Sequence, residues 1–186
     1  AGPYSMDQHA DDLAALLDAL DIPKAHIGGI SYGSEISMTF ALKYPEKTKS
    51  LVIIDGVSEV QPFLRAQTYP WKLAAERKDA ELLYWTSVTL NFSAEYVRAT
   101  QAYTTEAIER FSAIDMESFV EMMSAFYNIN ITDELSKIKC PTLVVIGEAD
   151  RIKGREYAQR IAEKIENSEY VVVPGAGHAL CLDKPD

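Results

Sequence analysis

The sequence predicts an α/β fold: a mostly parallel sheet with flanking helices, interrupted by an all-helical insertion. Three observations carry this reading. Apolar, β-branched runs alternate with stretches of helical periodicity near both ends of the chain, the pattern of β–α–β units joined by right-handed crossovers. A serine between two glycines, Gly29-Ile30-Ser31-Tyr32-Gly33, stands where the first such run passes into a helix. Residues 57–135 carry charged and apolar residues at helical spacing and no strand pattern.

The elements follow in order. Ser5-Met6-Asp7-Gln8 reads as a helix start, with Ser5 as N-cap and Gln8 three residues on. Leu13, Leu16, Leu17 and Leu20 then mark a buried face, and Pro23 closes the helix. The short run Ala25-His26-Ile27-Gly28 is strand-like and leads into the Gly29–Gly33 turn. The helix from Gly33 to Tyr44 has Ile36, Phe40 and Leu42 for a buried face and stops before Pro45. Leu51-Val52-Ile53-Ile54 is a strand ending at Asp55-Gly56. Three or four helices are expected between Val60 and Leu135, interrupted at Pro70, at Asn91-Phe92-Ser93 and at Asn128-Ile129-Asn130. Thr142–Gly147 is a strand, Tyr157, Ile161 and Ile165 mark a helix face, and Tyr170–Val173 is the last strand. There are no internal repeats and no low-complexity segments.

Composition narrows the function. The 186 residues suit one domain with an inserted subdomain, and 47% are hydrophobic, enough for a packed core. The net charge is −10, with no basic cluster, which argues against nucleic acid and anionic membrane surfaces as partners. No apolar run approaches the roughly 18 residues that span a bilayer. No signal peptide is visible, so a cytoplasmic location is expected. The two cysteines, Cys140 and Cys181, make no disulfide framework. No metal-ligand spacing and no phosphate-binding glycine loop is present, so neither metal nor cofactor is expected.

Ser31 is the candidate nucleophile. A serine flanked by glycines at a tight strand-to-helix turn is a nucleophile elbow: the hydroxyl is held exposed, and the helix start behind it offers free N–H groups to a developing oxyanion. Asp150 follows the strand Thr142–Gly147 within three residues, and Pro174-Gly175-Ala176-Gly177-His178 follows the strand Tyr170–Val173. A serine, an acid and a histidine thus each sit just past a parallel strand, the edge at which open sheets bind ligands. Asp55, at the end of its own strand, competes with Asp150 for the acid's role, with Asp150 favoured. His9 falls on a polar helix face and His26 within a strand, and both read as structural. Cys140 and Cys181 read as packing residues.

These segments resemble the α/β-hydrolase superfamily, in its small bacterial form with a serine nucleophile and a helical cap. The carrying segments are Gly29-Ile30-Ser31-Tyr32-Gly33, Tyr44-Pro45-Glu46, Pro141 to Asp150 and Gly175-Ala176-Gly177-His178. Residues 5–56 and 139–186 look like that family throughout. The resemblance implies an α/β-hydrolase fold with a partial core at 1–56 and 136–186 and a cap at 57–135. Ser31 matches the nucleophile, Asp150 the acid, His178 the base, the N–H of Tyr32 one oxyanion donor, and Gly29 and Gly33 the elbow glycines. Ser34 departs from the pattern, since many relatives have a further glycine there, with no expected loss of chemistry. Family members begin with further strands, one of whose loops supplies the second oxyanion donor. The sequence therefore reads as cut at both ends, with a preceding segment or another chain completing the sheet.

The implied activity is hydrolysis of a small apolar or aromatic carboxylic ester through an acyl-enzyme. The same site chemistry covers lactones, thioesters and carbon–carbon bonds beside a ketone. A ligand receptor with an idle site, or an inactive fragment, are the non-catalytic alternatives. Twelve aromatics in the cap segment, from Phe63 to Tyr127, are expected to pack mostly against one another and the sheet, with a few facing the substrate.

Overall fold

A computed structural model describes residues 4–185. Four parallel strands, β1 (Ala25–Ile30), β2 (Thr48–Ile54), β3 (Thr142–Gly147) and β4 (Ser168–Val173), form one sheet in the order β1-β2-β3-β4. The register aligns the strand ends that matter: Ile30 pairs with Ile54, Ile54 with Val145, and Gly147 with Val173. The residues that follow all four strands therefore emerge at one edge.

Helix α1 (Met6–Ala19) is capped as expected, the Ser5 hydroxyl accepting from Gln8 N–H at 3.1 Å. Its buried face differs from the expected leucine stripe. Met6, Ala10, Ala14 and Leu17 are buried, whereas Leu16 and Leu20 are more than half exposed. Small alanines let α1 lie close against α2 (Tyr32–Lys43), and the periodicity of leucine alone points to the wrong side. The helix also stops before Pro23: Asp21 turns to φ 54, and Ile22 N–H returns to Leu17 C=O, a left-handed helix end. Helix α2 is buried nearly all round, between the sheet and α1, with Met38 and Phe40 fully enclosed. Helix α8 (Arg155–Lys164) packs on β3 and β4 and buries Tyr157 and Ile161, with Ile165 just beyond it, as the spacing predicts. The main core joins these helices to Leu51, Ile53, Val144 and Ile146 of the inner strands. Each such aliphatic side chain contributes about 1.5–3 kcal/mol by leaving water.

Five α-helices lie between β2 and β3, more than the three or four expected: α3 (Pro62–Glu76), α4 (Ala80–Asn91), α5 (Ala94–Thr100), α6 (Thr104–Ser112) and α7 (Met116–Tyr127). Pro70 does not end a helix, as expected, but sits inside α3. A proline there costs about 3 kcal/mol. Burial of Leu64, Ala74 and Ala75 on either side of it offsets that cost, since a kinked α3 would withdraw them from the core. The chain leaves and rejoins the sheet layer through paired segments. Glu59 and Asn130 form an antiparallel bridge, and the Ser58 and Thr132 hydroxyls meet at 2.8 Å. A second core, including Val57, Leu64, Met123, Phe126 and Ile152, fastens the insertion to the layer below. Among the described residues no helix is long and apolar enough to cross a membrane.

Candidate active site

Ser31 lies between β1 and α2 at φ 52 and ψ −118, a left-handed conformation that costs a non-glycine residue free energy. Its N–H is held by Ile54 C=O of the neighbouring strand at 2.9 Å. The elbow glycines play unequal parts. A Cβ on Gly29 would overlap the backbone of Gly33, so the tight turn requires glycine there. At Gly33 a Cβ would meet nothing within 4 Å, so only Gly29 is held to glycine by crowding. Ser34 is fully buried and ties the elbow down, its hydroxyl reaching Gly29 C=O at 2.7 Å and Ile54 C=O at 2.8 Å while accepting from Ile54 N–H. Tyr32 is the first residue of α2, so its N–H has no acceptor within the helix.

The three side chains picked out past β1, β3 and β4 meet. Ser31 Oγ is 2.7 Å from Nε2 of His178, and Nδ1 of His178 is 2.8 Å from Oδ2 of Asp150. Asp150 Oδ1 accepts from Ile152 N–H at 2.7 Å and Lys153 N–H at 3.0 Å, which fixes the carboxylate and directs Oδ2 at the ring. With Asp150 accepting at Nδ1, the imidazole carries its proton there and offers Nε2 to the serine hydroxyl. His178 is 5% exposed. Burial holds its pKa below the ordinary imidazole value, against the Asp150 hydrogen bond and charge, which favour the imidazolium, and with the help of the nearby Lys153 ammonium. The histidine is thus a neutral base next to a serine hydroxyl, able to take its proton as the oxygen attacks an electrophile.

The loop bearing His178 sits close over β3. A Cβ on Gly147 would stand 2.6 Å from Ala176 C=O, and Ala149 N–H donates to that same carbonyl at 2.7 Å. Asp183 is a residue that sequence reasoning missed. Its Oδ2 accepts from Gly177 N–H at 2.6 Å and Ser93 N–H at 2.8 Å, and Oδ1 accepts from the Ser93 hydroxyl at 2.9 Å. Together with Ala179 N–H donating to Asn91 C=O at 2.7 Å, it stitches the histidine loop to the α4–α5 turn of the insertion. The Asn91-Phe92-Ser93 break was visible in the sequence, but nothing in it names Asp183 as its partner 90 residues away.

His9 also falls nearer the site than its place on a polar helix face suggests. Its Nε2 lies 3.0 Å from the Tyr32 hydroxyl, and its ring stands between those of Tyr4 and Tyr32. His26 meets the Ser50 hydroxyl at 2.7 Å on the exposed side of the sheet. Cys140 is half-buried, Cys181 is exposed, and both are free thiols.

Three further ionisable residues lie under the site. Glu35, in the first turn of α2, and Lys153 form an ion pair at 2.9 and 3.0 Å, with both side chains at 2% exposure or less. Asp55, which competed for the acid's role, is fully buried at the end of β2 and makes no hydrogen bond to His178. Its Oδ1 accepts from Gly147 N–H at 2.9 Å. Donor atoms of Asp55, Asp150 and His178 fall within 4.8 Å of one another. Both ring nitrogens of His178 are already committed to Ser31 and Asp150.

Within the insertion, a cavity of about 600 Å³ is walled by Trp71, Tyr84, Phe92, Tyr96, Phe111 and Phe119, among others. Phe63, Tyr69 and Trp85 lie on the surface instead, and Tyr103 lines the cavity while staying largely exposed. The cavity borders the histidine loop through Asn91 and Phe92, and Leu182 reaches into its wall.

Comparison with known proteins agrees with this fold. The family model described as serine aminopeptidase, S33, matches residues 3–185. A protein of Caulobacter sp. (strain K31) bearing the provisional name carbamate hydrolase RutD is 24% identical over 187 residues, covering 99% of this chain and 69% of that protein. The 3-oxoadipate enol-lactonase 2 of Acinetobacter baylyi is 23% identical over 187 residues, covering 99% of this chain and 68% of its own length. Among solved structures, MGS-M2, an α/β hydrolase enzyme from a Medee basin deep-sea metagenome library, superposes with a TM-score of 0.93 at 25% identity, over 99% of this chain and 69% of that one. The parallel sheet, the turn that presents Ser31 and the match over nearly the whole chain lead to one conclusion: the protein belongs to the serine aminopeptidase S33 family of α/β hydrolases.

Proposed function

We propose that this hydrolase cleaves a small carboxylic ester with an apolar or aromatic group, through an acyl-enzyme on Ser31. The observation that carries the reading is the unbroken chain Ser31 Oγ, His178 Nε2, His178 Nδ1, Asp150 Oδ2, at 2.7 and 2.8 Å. In this mechanism His178 takes the proton of Ser31 as Oγ attacks the carbonyl carbon. Asp150 holds the tautomer and stabilises the imidazolium. The Tyr32 N–H binds the oxyanion, and the proton on Nε2 then passes to the departing alcohol. Water, deprotonated by the same nitrogen, releases the acid. No step calls for a cofactor.

In this reading residues 57–135 act as a cap, and their aromatic cavity receives the apolar group. A cavity of this size, lined by residues of the insertion and by Leu182 beyond the histidine loop, suits a small substrate better than a polymer. A lactone is the second reading, favoured by the relative named as an enol-lactonase, since ring opening of a cyclic ester uses the same acyl-enzyme. The relatives that match are longer than this chain. We further propose that a segment beyond residues 1–186, or another chain, lies along the open edge of β1 and brings the second oxyanion donor. Leu16 and Leu20, exposed on α1, and the edge position of β1 support this. The free thiols at Cys140 and Cys181 suit a reducing compartment, and we place the protein in the cytoplasm.

The test is labelling with a fluorophosphonate, mapped by mass spectrometry. Rapid modification confined to Ser31, absent from Ser31→Ala, is the expected result. Folded protein that stays unlabelled would sink the hydrolase reading. The pH profile gives a second check. The base must be neutral to work, and burial lowers its pKa. kcat/KM for an activated ester is therefore expected to hold on the acid side until the pH falls below the ordinary imidazole value. An acid limb at or above that value would contradict the buried, neutral His178.

A further inference from the structure

We propose that Asp55 is a positioning residue of the site: it carries a proton on its unpaired oxygen and donates it to Asp150, holding that carboxylate in the orientation that His178 requires. The inference rests on the Ser–His–Asp reading above and begins from the backbone. Four non-glycine residues among those described have positive φ: Asp21, Ser31, Asp55 and Lys78. Asp21 and Lys78 close helices α1 and α3 in left-handed turns, where such a φ is ordinary. Ser31 and Asp55 close no helix. They follow Ile30 and Ile54, which are paired in register on adjacent parallel strands, and their φ angles are 52 and 50. Asp55 thus leaves β2 at a positive φ, at the register position where Ser31 leaves β1. Strain of this kind persists where the surroundings over-determine it, and it gathers at functional sites.

The hydrogen bonds then leave one solution. Asp55 Oδ1 takes Gly147 N–H, and Oδ2 is buried without a partner. Asp150 has three donors, two N–H groups on Oδ1 and the imidazole on Oδ2, which leaves one acceptor site on Oδ2. The nearest cation, Lys153, is spent on Glu35. Carboxyl oxygens of Asp55 and Asp150 lie within 4.8 Å of each other. Two ionised carboxylates so placed would repel each other and leave an orphaned oxygen in the interior, whereas one proton between them satisfies both. The charges facing Asp55 give the same balance. Burial raises its pKa most, Gly147 N–H lowers it, the Asp150 charge raises it and Lys153 lowers it, with the outcome pushed up to about 8. At neutral pH Asp55 is a donor.

This role differs from that of the acid. Asp150 touches the imidazole and Asp55 acts through Asp150. Asn is the informative substitution, because Oδ1 can accept from Gly147 N–H and Nδ2–H can replace the acid's O–H. Asn also tolerates positive φ. The Nδ1–H proton of His178 is the readout, observed by NMR as a far-downfield resonance in protein that need not turn anything over. In the wild type the resonance is expected to move as the pH passes through about 8, when Asp55 loses its proton. Asp55→Asn is expected to keep the resonance, show no such alkaline titration, and retain kcat/KM within about threefold. Asp55→Ala is expected to shift the resonance and lower kcat by about 100-fold with little change in KM, the scale of a misplaced catalytic group. An Asp55→Asn resonance that titrates like the wild type would overturn the proposal, as would Asp55→Ala with unchanged resonance and kcat. Should Asp55→Ala fail to fold, the wild type and Asp55→Asn titrations decide alone. The hydrolase reading can fail separately: an intact resonance without labelling of Ser31 would reject that reading and leave the role of Asp55 standing.

Discussion

Replacing Ser31 by alanine is expected to lower kcat for an activated ester about a million-fold while leaving the protein folded. The size follows from the chemistry, since the nucleophile and its base act as a unit and loss of either removes the covalent route. His178→Ala should therefore cost about as much, and the double variant little more than either alone. Asp150→Asn should cost less, about 10,000-fold, because the imidazole remains but its tautomer is no longer fixed. Stability should barely respond. Ser31 makes no side-chain cap to α2, and its hydroxyl has one partner, His178 Nε2 at 2.7 Å. Losing that bond costs about 1 kcal/mol, or about 2–4 °C in Tm for a chain of this length. Thermal melts alongside single-turnover kinetics separate the two effects. A Ser31→Ala protein, purified free of contaminating esterase, that keeps more than about 1% of wild-type kcat would end the assignment.

Much of this was readable in the residues, and the reason is local. An elbow needs a serine, a glycine where the turn closes and a strand before it, all within Ala25 to Gly33. Asp150 and His178 each lie a few residues past a β-branched run, and a parallel sheet brings strand ends together without further instruction. The roles of Asp55, Asp183, Glu35 and Lys153 were not readable, because each depends on a partner far along the chain. Glu35 and Lys153 are 118 residues apart, and singly each reads as a solvated charge on a helix or loop. The same limit explains the errors in α1 and α3. Leucine spacing cannot tell which side of α1 meets α2 through small alanines, and Pro70 breaks a helix only where packing does not hold it. In both places tertiary contacts override local preference.

The Glu35–Lys153 pair should dominate stability. Lys153 Nζ sits 2.9 and 3.0 Å from the two carboxylate oxygens and 5.0 Å from the centroid of Phe126, and Glu35 Oε1 also takes Val57 N–H at 2.8 Å. The pair joins the first turn of the nucleophile helix to the loop whose N–H groups hold Asp150. Removing one member of a buried pair typically costs about 3–5 kcal/mol, because the other is left charged and unpaired. Lys153→Met is therefore expected to lower Tm by roughly 6–20 °C at neutral pH. The loss should depend on pH with a definite sign. Burial already raises the Glu35 pKa, and Lys153 opposes that rise. Without Lys153 the folded-state pKa climbs further above its unfolded value, so the folded protein holds a proton that the unfolded chain releases. Stability is then lost as pH rises from the unfolded carboxylate range through the folded pKa. Asp55, whose pKa Lys153 also lowers, shifts the same way. The gap between wild type and Lys153→Met should be small near pH 4–5 and widen toward pH 8. Glu35→Gln combined with Lys153→Met removes both charges of the pair and keeps an acceptor for Val57, and it should recover most of the loss. Denaturant melts at three pH values decide the matter. A single variant as stable as the wild type, or a gap that narrows as pH rises, would show that the pair does not brace the site.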